Sequence, residues 1–294
     1  MESATVVVRA AIDVGSNSLL LTVIDDNAAV LHDEARIVGL GKGLGDGGRM
    51  HVARRTHGFE VLRDYVRIAG QLGVRAQHIH AAATSGARRA TDAPALFARV
   101  REELGLDVRT ISGDEEARLS WLGALDGLDL QWPVLLVDLG GGSTELVTGP
   151  RADSISWRSS REYGAVRLQE RHGSELAAMR VQVDEDLINL PLQAEQVVAV
   201  AGTATLFGAM ELGLKQWDGP AIHGLSLSRG QLQAWMQRFA QASPRQREVM
   251  AHLAPERGPY LAGGALVLDR VLAAAGSDSL VLSNGGLRFG LLAS

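Results

Sequence analysis

Two segments of this 294-residue chain are built alike: Ala11-Ile-Asp-Val-Gly-Ser-Asn-Ser18 and Val137-Asp-Leu-Gly-Gly-Gly-Ser-Thr-Glu145. Each carries an apolar strand to an aspartate, turns on glycine, passes small hydroxyl residues and enters a second apolar run. Glycine adopts backbone conformations that other residues resist, so N–H groups at such a turn can converge on an anion. A neighbouring aspartate suits a hard cation such as Mg²⁺, which keeps most of its ligands as water and phosphate oxygens. A phosphate-type loop used twice implies two facing lobes with a phosphorylated compound between them.

The length agrees with two domains. We expect a first lobe over 1–125, with the Asp13 loop, and a second over 126–294, with the glycine-rich loop; residues 126–133 read as the connection. Hydrophobic residues make up 46%, with 34 Gly and 8 Pro, as in a globular α/β protein. A net charge of −5 argues against a broad electrostatic grip on nucleic acid, although 29 Lys and Arg leave a local basic groove open. With no cysteine, disulfides and thiolate metal sites are excluded. The start of the chain lacks the pattern of a signal peptide, and no apolar run is long enough to span a bilayer, so a cytoplasmic protein without membrane partners is expected.

Apolar spacing predicts strands over 6–12, 19–24, 35–40, 79–83 and 108–111 in the first half. Glycine is too dense over 39–48 for a helix or stable strand, and this stretch reads as a flexible loop. Helices are predicted over 52–71, 94–104 and from about 112 to 125, the last opened by Ser112 with Glu115 in capping-box spacing. In the second half, strands are predicted over 134–138, 145–149, 155–160, 197–201 and 280–282. Helices are predicted over 166–171, 176–187, after Gly202, and over 227–240, 244–252, 259–275 and 286–292.

Gly140, Gly141 and Gly142 after Asp138 are the strongest local signal for phosphoryl binding, with Ser143 and Thr144 as hydroxyl donors and Glu145 as a second acid. Alone they read equally well as a glycine-rich hairpin; the matching Ser16, Asn17 and Ser18 beside Asp13 tip the balance. Asp114, Glu115 and Glu116 open a helix, where acids are favoured in any case. Glu115 has a capping job by spacing, whereas Glu116 has none and suits a base that takes a proton from attacking water. Arg88 and Arg89 follow a strand and a Thr-Ser-Gly turn, and a guanidinium matches phosphate oxygens in a phosphoryl-transfer transition state. Gly202 and Thr203 stand between a strand and a helix start, where an anion site and a plain N-cap are equal contenders. The eight His show no metal-ligand spacing.

Taken together, these segments resemble the exopolyphosphatase/guanosine pentaphosphate phosphatase (Ppx/GppA) family of the actin-like ATPase superfamily. The likeness runs, in order, through Ala11-Ile-Asp-Val-Gly-Ser-Asn-Ser18, Thr84-Ser-Gly-Ala-Arg-Arg-Ala90, Ile111-Ser-Gly-Asp-Glu-Glu-Ala-Arg118, Val137-Asp-Leu-Gly-Gly-Gly-Ser-Thr-Glu-Leu146 and Ala201-Gly-Thr203. It continues through Pro255-Glu-Arg257, Leu261-Ala-Gly-Gly-Ala-Leu266 and Leu282-Ser-Asn-Gly-Gly-Leu-Arg288. Two positions depart from the family's closing motif: Asn284 stands for an aspartate and Phe289 for a glutamate.

The resemblance implies an α/β fold of two actin-like (ribonuclease H-like) lobes, each a mixed central sheet flanked by helices, with the active site in the cleft between them. It implies Glu116 as general base and Arg88 as a phosphate-binding catalytic residue. Mg²⁺, with Mn²⁺ as a substitute, would sit near Asp138, with Glu145 and Asp13 close by. Substrate phosphates would meet Ser16, Asn17, Ser18, Gly140, Gly141, Gly142, Ser143, Thr144, Gly202, Thr203 and Arg288. A homodimer is expected too.

The expected activity is hydrolysis of terminal phosphoanhydride bonds of inorganic polyphosphate. Guanosine pentaphosphate presents a similar terminal bond, but a purine needs an aromatic shelf and aromatics are only 4% of the chain. A kinase on the same fold and a non-catalytic polyphosphate or alarmone binder are the more distant alternatives.

Overall fold

The computed structural model describes residues 7–44 and 48–294. Val6 of the first predicted strand and Gly45, Asp46 and Gly47 of the glycine stretch lie outside the described residues. Chain contacts divide the protein into two units, Met1–Leu119 with Leu287–Ser294, and Ser120–Gly286. This differs from a single cut after 125 in two ways: the boundary falls after Leu119, and the last eight residues return to the first unit.

The first unit holds β1 (Arg9–Val14), β2 (Ser18–Ile24), β3 (Val30–Ile37), α1 (Val52–Gln71), β4 (Ile79–Ala83), α2 (Ser85–Arg89), α3 (Ala93–Leu104), β5 (Val108–Thr110) and the start of α4 (Gly113–Ala124). The sheet order is β3-β2-β1-β4-β5. β1 runs antiparallel to β2 and parallel to β4, so the Asp13 turn lies at the C-terminal end of a central strand. Alternation along β1 splits the core. Ala10, Ile12 and Val14 pack with Phe59, Leu62 and Tyr65 of α1 and with Leu96 and Val100 of α3, while Ala11 turns to a second cluster with Ala82, Ile111 and Leu119. Asp13 shares that second parity.

The predicted helix ends mostly hold. Gly105 closes α3 in the left-handed conformation (φ 66°), as a C-cap glycine does. At α4, the Ser112 hydroxyl accepts the Glu115 N–H at 3.1 Å, but the Glu115 carboxylate turns to Arg109 at 3.4 Å. Half of the expected capping box forms, because a nearby cation outcompetes the helix end for Glu115. The Thr-Ser-Gly stretch after β4 is the short helix α2 rather than an open turn.

The second unit repeats the plan. It contains β6 (Val134–Leu139), β7 (Thr144–Gly149), β8 (Trp157–Arg161), α5 (Ala165–His172), α6 (Leu176–Leu187), β9 (Gln196–Val200) and α7 (Gly202–Glu211). It continues with α8 (Gly219–Ile222), β10 (Ser226–Ser228), α9 (Arg229–Gln241), α10 (Pro244–Met250), α11 (Leu261–Ala275) and β11 (Ser279–Leu282). Its sheet order is β10-β11-β9-β6-β7-β8. Apart from the added edge strand β10, the order and polarity of the strands match those of the first sheet. Leu135, Val137 and Leu139 face the main core with Leu266, Val267 and Leu272 of the nearly all-apolar α11. Asp138 therefore has the opposite parity, as Asp13 does in β1.

The chain then returns to the first unit as α12 (Leu287–Ala293), whose Leu287, Leu291 and Leu292 complete the cluster of Ala11, Ala82 and Ile111. Two mixed sheets flanked by helices bear out the expected fold class. Among the described residues no helix is long and apolar enough to cross a membrane.

Candidate active site

In the first unit, the Asp13 turn closes by a Gly15 N–H to Ser18 carbonyl bond of 3.0 Å. Its outer carbonyls are held by the neighbouring glycine stretch. Gly41 donates to Ser16 at 2.7 Å, while Val38 and Gly39 donate to Asn17 at 2.9 and 2.8 Å. The described part of that stretch is thus pinned to the turn, contrary to the expected loose loop. Gly86 of α2 packs so close that a Cβ there would lie 3.1 Å from the Cα of Ser16. Ser18 and Asn17 are buried, and the Asn17 amide nitrogen has no hydrogen-bond partner among the described residues. A buried donor of this kind is costly unless something outside the chain accepts from it.

Also in this unit, Glu116 near the start of α4 is buried and takes the Arg88 guanidinium on Oε2 at 2.7 Å. The same Arg88 nitrogen donates to the Ile111 carbonyl at 3.1 Å, so the arginine is fixed from two sides. Two residues singled out separately by the sequence are therefore direct partners. Arg118, two residues on from Glu116, is exposed.

In the second unit, the Gly140 N–H donates to the Ser143 carbonyl at 3.0 Å, the same closure as at Gly15. The N-terminus of α5 then locks the loop. Ala165 donates to the Gly140 carbonyl at 3.0 Å, and Val166 and Arg167 both donate to the Gly141 carbonyl at 3.0 Å. Holding the carbonyls on one side fixes the peptide planes that carry the loop N–H groups. A side chain at Gly164 is excluded here, since its Cβ would fall 2.5 Å from the Gly140 carbonyl oxygen.

Asp138 and Glu145 stand directly opposite each other across β6 and β7, which puts both carboxylates on one face. Glu145 is buried and accepts the Ser160 hydroxyl at 2.6 Å. Asp138 is half-buried and accepts the Ser120 hydroxyl at 2.5 Å. Desolvation pushes the Asp138 carboxyl above the ordinary carboxylate range, with the Ser120 hydrogen bond pulling the other way. Among the described residues no Lys or Arg pairs with Asp138, so a divalent cation fits there as the charge that relieves its burial. Asp13 belongs to the first unit, and no group of three carboxylates or histidines suited to a metal occurs among the described residues. Two protein carboxylates remain compatible with Mg²⁺, which takes its other ligands from water and phosphate.

The turn into α7 shows what sequence reasoning missed. Ala201 has φ 75°, a left-handed conformation that an alanine adopts only under constraint, and Ala carries no sequence signal for it. At the next residue the Arg257 guanidinium occupies the space that a Cβ at Gly202 would take, so a side chain there would displace the arginine. Desolvation holds Arg257 below the usual arginine range. The Pro255-Glu-Arg257 segment was visible in the sequence, but nothing in its spacing gave the arginine a role. Thr203 is buried at the same turn.

Two expected phosphate ligands have other employment. The Thr144 hydroxyl donates to the Tyr163 carbonyl at 2.7 Å inside the second unit. Arg288 is buried in the first unit, bonded to Thr22 at 2.8 Å and to Asp33, where it ties α12 to β2 and β3. The Thr144 hydroxyl proton is thus spent inside the second unit, and one guanidinium nitrogen of Arg288 is spent inside the first. Of the departing positions, Asn284 lies against Gly219 at the start of α8, and Phe289 lies beside the Arg288 guanidinium.

The sequence pattern of the Ppx/GppA phosphatase family matches residues 22–294. The chain is 32% identical over 314 aligned positions to Exopolyphosphatase 2 of Mycobacterium tuberculosis, covering 97% of each. The chain belongs to the Ppx/GppA phosphatase family. Among solved structures, the Ppx/GppA enzyme of Aquifex aeolicus superposes with a TM-score of 0.82 at 28% identity, covering 98% of this chain and 99% of that one. An exopolyphosphatase of Cytophaga hutchinsonii gives 0.87 at 23% identity, covering 98% and 97%, and supports the fold alone. As a Ppx/GppA phosphatase the chain is an enzyme that hydrolyses phosphoanhydride bonds.

Proposed function

We propose that this phosphatase is an exopolyphosphatase, removing orthophosphate from the end of inorganic polyphosphate. The observation that carries the mechanism is the buried Glu116 carboxylate held by Arg88. Polyphosphate as substrate rests on the full-length likeness to Exopolyphosphatase 2.

Glu116 takes a proton from water as the water oxygen bonds to the terminal phosphorus. The bond from that phosphorus to the bridging oxygen breaks, and the bridging oxygen leaves on a chain shorter by one phosphate. Arg88, fixed by the Ile111 carbonyl, orients Glu116 and offers its remaining N–H groups to phosphoryl oxygens. Backbone N–H groups of Gly140, Gly141, Gly142 and Ser143 bind the phosphoryl group, their planes set by α5. Ser16, Ser18 and the unpartnered amide of Asn17 would supply donors from the first turn. Asp138, with Glu145, would hold Mg²⁺ or Mn²⁺, which when bound neutralises charge on the transferring group.

Glu116→Gln should lower phosphate release from polyphosphate by about 10²- to 10⁴-fold. Asp138→Asn should lower it by about 10²- to 10³-fold. The assay should offer long polyphosphate, short polyphosphate and guanosine pentaphosphate side by side. Turnover of the nucleotide alone, or a parental rate in the Glu116 variant, would sink the reading.

A further inference from the structure

Ser120 is an unusual residue for its place. It stands in the interior of α4 between Leu119 and Trp121, each 1% exposed, and is itself 0% exposed. A serine inside a helix ordinarily faces water or bonds back to a carbonyl of the preceding turn. Here its hydroxyl is spent on Asp138 Oδ2 at 2.5 Å, an oxygen on a different element of the same unit. A serine hydroxyl carries one proton, so that bond uses its whole donor capacity.

The chemistry of the donor matters. An arginine or lysine on Asp138 would fix the carboxylate but also cancel its charge, and would compete with a bound cation. A hydroxyl fixes one oxygen and leaves the negative charge in place. Ser160 on Glu145 Oε1, at 2.6 Å, applies the same kind of donor to the carboxylate opposite. Outer hydrogen bonds of this type orient metal ligands, and their loss typically costs about 10- to 100-fold in metal affinity.

We infer that Ser120 is a positioning residue for divalent-cation binding, acting through Asp138; this rests on the reading of Asp138 as the metal-holding carboxylate. Ser120 fixes the rotation of that carboxylate so that Oδ1 is the oxygen presented to the cation.

The test is Mn²⁺ binding without polyphosphate, followed by the electron paramagnetic resonance signal of free Mn²⁺ on the full chain. Parental protein, Ser120→Ala, Ser120→Thr, Ser120→Cys and Asp138→Asn are compared, with a thermal melt to confirm folding. Asp138→Asn should abolish the Asp138-dependent binding. Ser120→Ala should weaken it by about tenfold or more, and Ser120→Thr, which restores a hydroxyl, should recover most of it. If Ser120→Ala does not fold, the near-isosteric Ser120→Cys, a weaker donor, carries the test and should also bind Mn²⁺ more weakly. Parental affinity in folded Ser120→Ala or Ser120→Cys, with binding lost in Asp138→Asn, overturns the role of Ser120 alone. Parental affinity in Asp138→Asn overturns the metal reading of Asp138 and the inference with it.

Discussion

Arg88 reaches Glu116 and the Ile111 carbonyl with the same nitrogen, so its charge and its shape both matter. Arg88→Lys keeps the charge but loses the planar fork. It should lower phosphate release at least about tenfold while leaving the thermal midpoint near the parental value; equal activity would remove Arg88 from the machinery. Asp92 shows a carboxylate used for structure instead. It accepts the Met50 N–H at 3.0 Å and the Arg55 guanidinium at 2.8 Å. Burial alone pushes its carboxyl up, but these donors prevail and hold it below its ordinary value of 3.8. A group whose pKa is lower when folded stabilises the fold above the unfolded value, and that contribution is lost as pH falls through the folded one. Asp92→Asn should therefore cost about 1–3 kcal/mol at pH 7. The difference from the parent should shrink below about pH 4, as chemical denaturation at both pH values would reveal.

Glycine decides how closely elements approach. A Cβ at Gly164 meets the Gly140 carbonyl oxygen and the Gly141 carbonyl carbon at 2.5 and 2.6 Å, whereas one at Gly70, in the last turn of α1, meets nothing. Gly164→Ala should destabilise by about 1–3 kcal/mol through overpacking and slow phosphate release by tilting the loop. Gly70→Ala should be neutral or stabilising by up to about 1 kcal/mol. Calorimetry on both variants separates these outcomes. The element pattern was largely legible in the sequence, because long apolar periods such as 52–71 and 176–187 have a single reading. The three-residue β10 reads as helix from sequence because Leu227 continues the apolar period of α9 and so short an edge strand leaves no alternation to count. Of the candidate site, the two turns and Glu116 were legible because they depend on local spacing. The partnership of Arg88 with Glu116, the bonding of Arg288 to Asp33 and the approach of Arg257 to Gly202 were not. Each joins residues at least 28 positions apart, where only packing sets the distance.

The same strand order and polarity occur twice in this chain, yet the copies have diverged chemically. At the register position where β7 carries Glu145 opposite Asp138, β2 carries Leu20 opposite Asp13. Only the second copy therefore sets a second carboxylate directly across from its turn aspartate. The returning segment is the other asymmetry. Removing residues 287–294 should uncover Ala11, Ile24, Ala82, Ile111 and Leu119 and leave Asp33 without Arg288. Amide hydrogen exchange in β1, β2 and β4 should rise sharply, with β6, β7 and β9 remaining protected; uniform loss across both sheets would contradict the division into units. In a living cell the split first unit also imposes an order of events. Its strands emerge from the ribosome first, yet their last apolar partners arrive after the whole of Ser120–Gly286 has been made. At about 5–20 residues per second, that leaves an oily face bare for roughly ten to thirty seconds. The part synthesised first is finished last, and it is the part a nascent-chain chaperone would have most reason to hold.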